Sequence, residues 1–65
     1  MDDLARAEQN VADSERNVQR QREIIARLER QGLDAKLAKD LLVQFELTLT
    51  SRRRNLDQIR DNRAP

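Results

Sequence analysis

The chain has 65 residues, 13 of them Lys or Arg and 12 Asp or Glu, so 38 % of it is charged while the net charge is only +1. That length allows one small domain and excludes a two-domain enzyme, and the balanced charge supplies no long-range field of one sign to draw in a polyanion. With neither histidine nor cysteine, the chain has no disulfide and no structural zinc to reinforce it, and self-association is the reinforcement that remains.

The N-terminus opens Met1-Asp2-Asp3, acidic where a signal peptide is basic and then apolar. No apolar run approaches the roughly 20 residues needed to span a bilayer, so a cytoplasmic protein with no membrane contact is expected. Beyond it, Leu4, Val11, Val18 and Ile25 stand a heptad apart, and Ala7, Ser14, Gln21 and Leu28 follow each of them on the same stripe. Two successive heptads, AEQNVAD and SERNVQR, repeat glutamate, any residue, asparagine, valine. Asp2 or Asp3 is placed to cap the N-terminus, Asp13 with Arg16 and Glu23 with Arg27 are spaced for pairing along the helix, and Arg27 and Arg30 stand at its negative end. These signals predict a helix over about 3–31.

Gly32 is the only glycine. One residue past a helix end it enters the left-handed region without a Cβ penalty, and Leu33 with Leu28 provides the apolar contact of a Schellman ending. Asp34 then caps a second helix over about 35–62, leaving a turn at 32–34 and a frayed Ala64-Pro65 tail. This helix carries Ala38, Leu42, Phe45, Leu49, Leu56 and Ile59 at helical spacing, with Arg52 interrupting the stripe.

An antiparallel hairpin turning at 32–33 sets residues opposite one another when their numbers sum to about 66 or 67. Leu28 then faces Ala38, Ile25 faces Leu42, Gln21 faces Phe45, Val18 faces Leu49, Val11 faces Leu56 and Ala7 faces Ile59. Ser14 faces Arg52 in a polar layer that either sets register or satisfies a half-buried charge, with Glu15 one position on to reach the guanidinium. The seam leaves apolar residues over: Leu37, Leu41, Val43 and Leu47, with Ile24 across the turn, broaden the stripe at the loop end. The expected fold is an all-α, coiled-coil-like antiparallel two-helix hairpin, residues 1–65 forming one domain that dimerises into a four-helix bundle. Its interface is predicted at Ile24, Leu37, Leu41, Leu42, Val43, Phe45, Leu47 and Leu49. Leu41, Leu42, Phe45 and Leu49 form the shared core, with Ile24, Ile25 and Leu28 in support.

No catalytic constellation can be assembled. Ser14 and Ser51 lack an activating base, and Asp2 with Asp3 and Asp57 with Asp61 read as solvated surface acids. There is no glycine-rich phosphate loop, EF-hand spacing or EXXH pair, so no cofactor, metal or small-molecule substrate is expected. Arg52-Arg53-Arg54 is the one basic cluster; its residues fan around the helix, Arg52 toward the seam and Arg53 and Arg54 toward water, with Asp57 and Asp61 nearby. A membrane-surface helix is disfavoured by mixed charge and the lack of tryptophan. The sequence therefore predicts a non-enzymatic protein–protein interaction or self-association module. The partner is a second copy or a different protein, and the alternative is a small nucleic-acid-associated protein using Arg53 and Arg54.

Residues 20–49, RQREIIARLERQGLDAKLAKDLLVQFELTL, and the upstream AEQNVADSERNV resemble a pattern in short helical-hairpin proteins of alphaproteobacteria such as rhizobia and their relatives. Those relatives often carry histidine where this chain has Asn10 and Asn17, and another after the second apolar stretch. The absence of all three here sets aside any histidine-based role. The resemblance implies a bacterial cytoplasmic protein and brings no activity with it.

Overall fold

In a computed structural model, which describes residues 2–63, the chain forms two helices packed antiparallel, α1 (Asp3–Arg30) and α2 (Lys36–Arg63). Each has 28 residues, or about 42 Å of helix. Ala64 and Pro65, expected as a frayed tail, lie outside the described residues. Each helix keeps to its own capping chemistry. Asp2, the N-cap of α1, accepts the N–H of Leu4 on Oδ1 at 3.1 Å, and Asp34, two residues before α2, accepts that of Lys36 on Oδ1 at 2.9 Å, so an aspartate satisfies an orphan donor at the start of each helix. The Asp2 carboxylate also pairs with Arg63 at the far end of α2, tying the open end of the hairpin together. The Leu4 N–H first and Arg63 second hold its pKa below the ordinary aspartate value. A carboxylate depressed in this way contributes stability above its unfolded pKa and loses it as pH falls through the folded one.

At the turn, α1 ends in a complete Schellman motif, one residue earlier than the spacing suggests. Leu33 N–H donates to Leu28 O at 2.9 Å and Gly32 N–H to Glu29 O at 3.1 Å, and Gly32 sits at φ +70°, the left-handed conformation the motif requires. A Cβ there would meet nothing within 4 Å, so substitution is opposed by backbone strain alone. Gly32→Ala is therefore expected to cost about 1–2 kcal/mol and Gly32→Asn less, since asparagine tolerates this region. Thermal unfolding followed by circular dichroism gives the order, and equal midpoints for both variants would contradict it.

The seam forms where the heptads place it. Ala7, Val11, Val18, Leu49 and Leu56 make a continuous buried cluster, with Leu4, Leu42, Phe45 and Ile59 packed against it. Ala35, outside the apolar stripe expected from the spacing, is also buried; it stands a heptad before Leu42 and extends the row Leu42, Leu49, Leu56 to the turn. Two polar layers interrupt the seam. Ser14 is only 2 % exposed, and its Oγ accepts Arg52 Nη1 at 2.7 Å while the same nitrogen reaches Asn10 O at 3.2 Å. Gln21 is buried as well, and its Nε2 donates to Ala38 O at 2.8 Å. Among the described residues no buried side-chain nitrogen or oxygen lacks a partner, so neither layer carries the desolvation penalty of an unpaired group.

The result is a rod of 53 × 16 × 15 Å in which each helix has one neighbour. Its accessible surface is 5123 Å². A compact monomer of 7.6 kDa exposes about 4,300 Å². The excess of about 800 Å² matches what one partner buries in a standard protein–protein interface.

Candidate functional site

The two flanks of the seam differ in chemistry. On one, four ion pairs cross between the helices: Glu8 with Arg60 at 3.5 Å, Glu15 with Arg53 at 3.2 Å, Arg22 with Glu46 at 3.2 Å, and Glu29 with Lys39 at 3.1 Å. They recur at heptad steps, rising along α1 as they fall along α2, because the residue after each of Ala7, Ser14, Gln21 and Leu28 occupies this side of the seam. The ladder corrects two expectations about charge. Glu15 reaches Arg53 and not Arg52, whose guanidinium turns into the seam toward Ser14. Glu23 accepts from Gln19 Nε2 at 3.3 Å where pairing with Arg27 was expected, whereas the Asp13–Arg16 pair forms.

Three rungs put the acid on α1, and the third in chain order, Arg22 with Glu46, reverses this. The reversal specifies register. Sliding one helix by a heptad sets Glu15 or Glu29 against Glu46, and Arg22 against Lys39 or Arg53, so either slip creates two like-charge rungs. Each rung is about half exposed and is worth about 0.2–1 kcal/mol, so the ladder works as a discriminator more than as a source of stability. Arg22→Glu is expected to lower the unfolding midpoint at low salt. Arg22→Glu combined with Glu46→Arg should restore it, and at about 1 M salt, where screening shortens to about 3 Å, the three proteins should converge. A midpoint that does not respond to salt in the single variant would contradict this account.

The other flank carries no charge from Asn10 to the turn. On α2 it consists of Leu41, Thr48 and Asn55, each preceding a seam residue, and one step further round of Leu37, Gln44, Ser51 and Gln58. On α1 it consists of Asn10, Asn17 and Ile24, all half-buried beside the seam. In a chain that is 38 % charged, two neighbouring heptad rows of α2 are thus free of ions. The flank is also graded: leucine and isoleucine lie toward the turn, amides and hydroxyls toward the open end.

The eight residues expected at an interface divide among several places. Leu42, Phe45 and Leu49 belong to the seam inside the hairpin. Ile24, Leu37 and Leu41 lie on the uncharged flank, where Leu37 is 83 % and Leu41 44 % exposed. Val43 and Leu47 are exposed too, Val43 beyond the ion-pair ladder and Leu47 on the outer row of α2 with Asp40, Arg54 and Asp61. The helix rotation that buries Leu42 and Leu49 separates these residues, which share only their closeness to the turn.

The arginine cluster is largely engaged within the chain. Arg52 bonds to Ser14 and Asn10, Arg53 pairs with Glu15, and Arg54 is exposed. Among the described residues no group of three acids, histidines or cysteines is placed to hold a metal ion, and no helix is long and apolar enough to cross a membrane. The surface depressions are open: one lies at the turn between Glu29, Lys36 and Lys39, another between the rungs of Glu15 and Arg22. Comparison of the chain with known protein families, with curated proteins and with solved structures finds no match.

Proposed function

We propose that this chain is a non-catalytic association module, a helical hairpin that pairs with another polypeptide and first of all with a second copy of itself to make a four-helix bundle. The single observation carrying this reading is the surface excess of the rod, about 800 Å² over a compact monomer of its mass, combined with leucines that neither helix covers. Leu37, at 83 % exposure, gains nothing from the hairpin, and burying such a side chain is worth roughly 1.5–3 kcal/mol. The role that follows is to present or join helical surface; direct chemistry has no part in it. Light scattering after gel filtration at micromolar concentration is expected to give twice the 7.6 kDa chain mass. A monodisperse, cooperatively unfolding monomer would refute the proposal.

A further inference from the structure

Resting on that reading, the geometry points to one particular occupant of the uncharged flank: a second hairpin lying alongside with its turn at the same end, so that α1 of each copy packs against α2 of the other. Three observations select it.

The first is the chemistry of the two flanks. The ladder side is already closed by four ion pairs between α1 and α2, and covering it would strip water from eight charged groups. The uncharged flank has no ions to desolvate, and an interface core depleted of charge is the usual compositional mark of association.

The second is its gradient. A two-fold axis along the rod keeps every residue at its own height, so the Ile24, Leu37 and Leu41 end meets the same end of the partner, and the Asn17 and Asn55 region meets amides. With the turns at opposite ends, Leu37 and Leu41 would lie at the open-end level of the partner, near Gln58 and Asn62, setting leucine against amide. A partner that matches both ends of this gradient in order is the flank itself, as a symmetric isologous contact provides.

The third is the charge bordering the flank. Antiparallel pairing of α1 with the partner's α2, at the height relation already seen inside the hairpin, sets Arg27 level with Asp40, Asp13 with Arg54 and Arg6 with Asp61, all opposite in sign. Reversing one copy instead brings Arg6 level with Arg27 and Asp40 close to Asp61, both like in sign, against a single opposite pair, Asp13 with Arg20. The rim thus favours the orientation that the apolar gradient also favours.

The test uses the full chain, whose lack of cysteine makes single-site labelling clean. A spin label on Arg30→Cys, at the turn end of α1 and away from the flank, is expected to show a label-to-label distance under about 30 Å in the dimer. A turn-opposed dimer would exceed about 40 Å, one helix length. In parallel, Leu37→Lys with Leu41→Lys should weaken dimerisation at least about 100-fold while keeping the helical circular dichroism signal, as both side chains lie outside the seam cluster. Val43→Lys, on the row beyond the ion-pair ladder, should leave the dimer intact. A dimer with the long distance, or one abolished by the Val43 change and not by the Leu37 and Leu41 changes, overturns the same-end arrangement and leaves self-association standing. A chain that is monomeric at micromolar concentration overturns both.

Discussion

Leu49→Ala is expected to remove most of the stability of this molecule. Leu49 is 7 % exposed and belongs with Val18 to the continuous buried cluster, between the polar layers of Ser14 and Gln21. Truncating a buried leucine costs about 2–5 kcal/mol, and a chain of this length has a total of only about 3–10 kcal/mol at the usual 0.05–0.15 kcal/mol per residue. The substitution should therefore collapse the helical signal at temperatures where the parent chain is folded. Leu47→Ala, two residues away and 61 % exposed, is expected to change stability by no more than about 0.5 kcal/mol. The pair separates burial from leucine content as such. Thermal melts at two protein concentrations complete the measurement, because coupling of folding to self-association makes the midpoint rise with concentration. Equal effects at the two positions would show that α2 is rotated differently about its axis.

The second large effect is expected at Arg52. Its Nη1 is shared between Ser14 Oγ and Asn10 O, and its aliphatic stem fills the seam opposite a small residue. Arg52→Ala removes both bonds and the packing, at an expected cost of about 1–3 kcal/mol. Part is recovered if the Ser14 hydroxyl turns back to the carbonyl of Asn10 in its own helix. Replacing both partners is a different experiment from removing one. Arg52→Leu with Ser14→Ala makes the layer apolar and is expected to be neutral or stabilising, so the double variant should melt at or above the parent temperature while each single variant melts lower. The difference is a coupling of about 0.5–3 kcal/mol. Additive effects in urea unfolding would show that the two side chains act independently and that the layer has no part in fixing register.

Polar layer and ladder act on the same quantity. The apolar rows repeat every heptad and would accept a helix displaced by seven residues with little loss, since leucine or valine meets leucine or isoleucine again over most of the shorter overlap. Ser14 and Arg52 break that repetition inside the seam, and the reversed rung of Arg22 and Glu46 breaks it on the flank. A hairpin already constrained by a tight turn gains little from such devices alone. Their value rises when a second copy offers competing helices of the same pattern, which accords with the proposed association.

Spacing and capping alone determined the two helices, the reversal at Gly32, the aspartates at the helix starts, most of the residues buried in the seam and the Ser14–Arg52 contact, whereas Gln21, expected beside Phe45, bonds to Ala38 O. All but the Gln21 bond follow from local rules, the 3.6-residue turn, the conformational freedom of glycine and the constant pairing of an antiparallel hairpin, and need no knowledge of what lies beside the chain. Tertiary structure decided which charges meet. Glu15 has both Arg52 and Arg53 within reach along the facing helix, and Glu23 has Arg27 and Gln19 on its own; only the rotation and offset of the helices choose between such partners. The same rotation sorted the leucines near the turn, sending Leu42 and Leu49 inward, Leu37 and Leu41 to a flank without charge and Val43 and Leu47 to other exposed rows. Closeness along the chain is legible in a sequence, but the angle a residue makes with the seam depends on which positions the packed helices bury, and packing energy over the whole interface sets that angle.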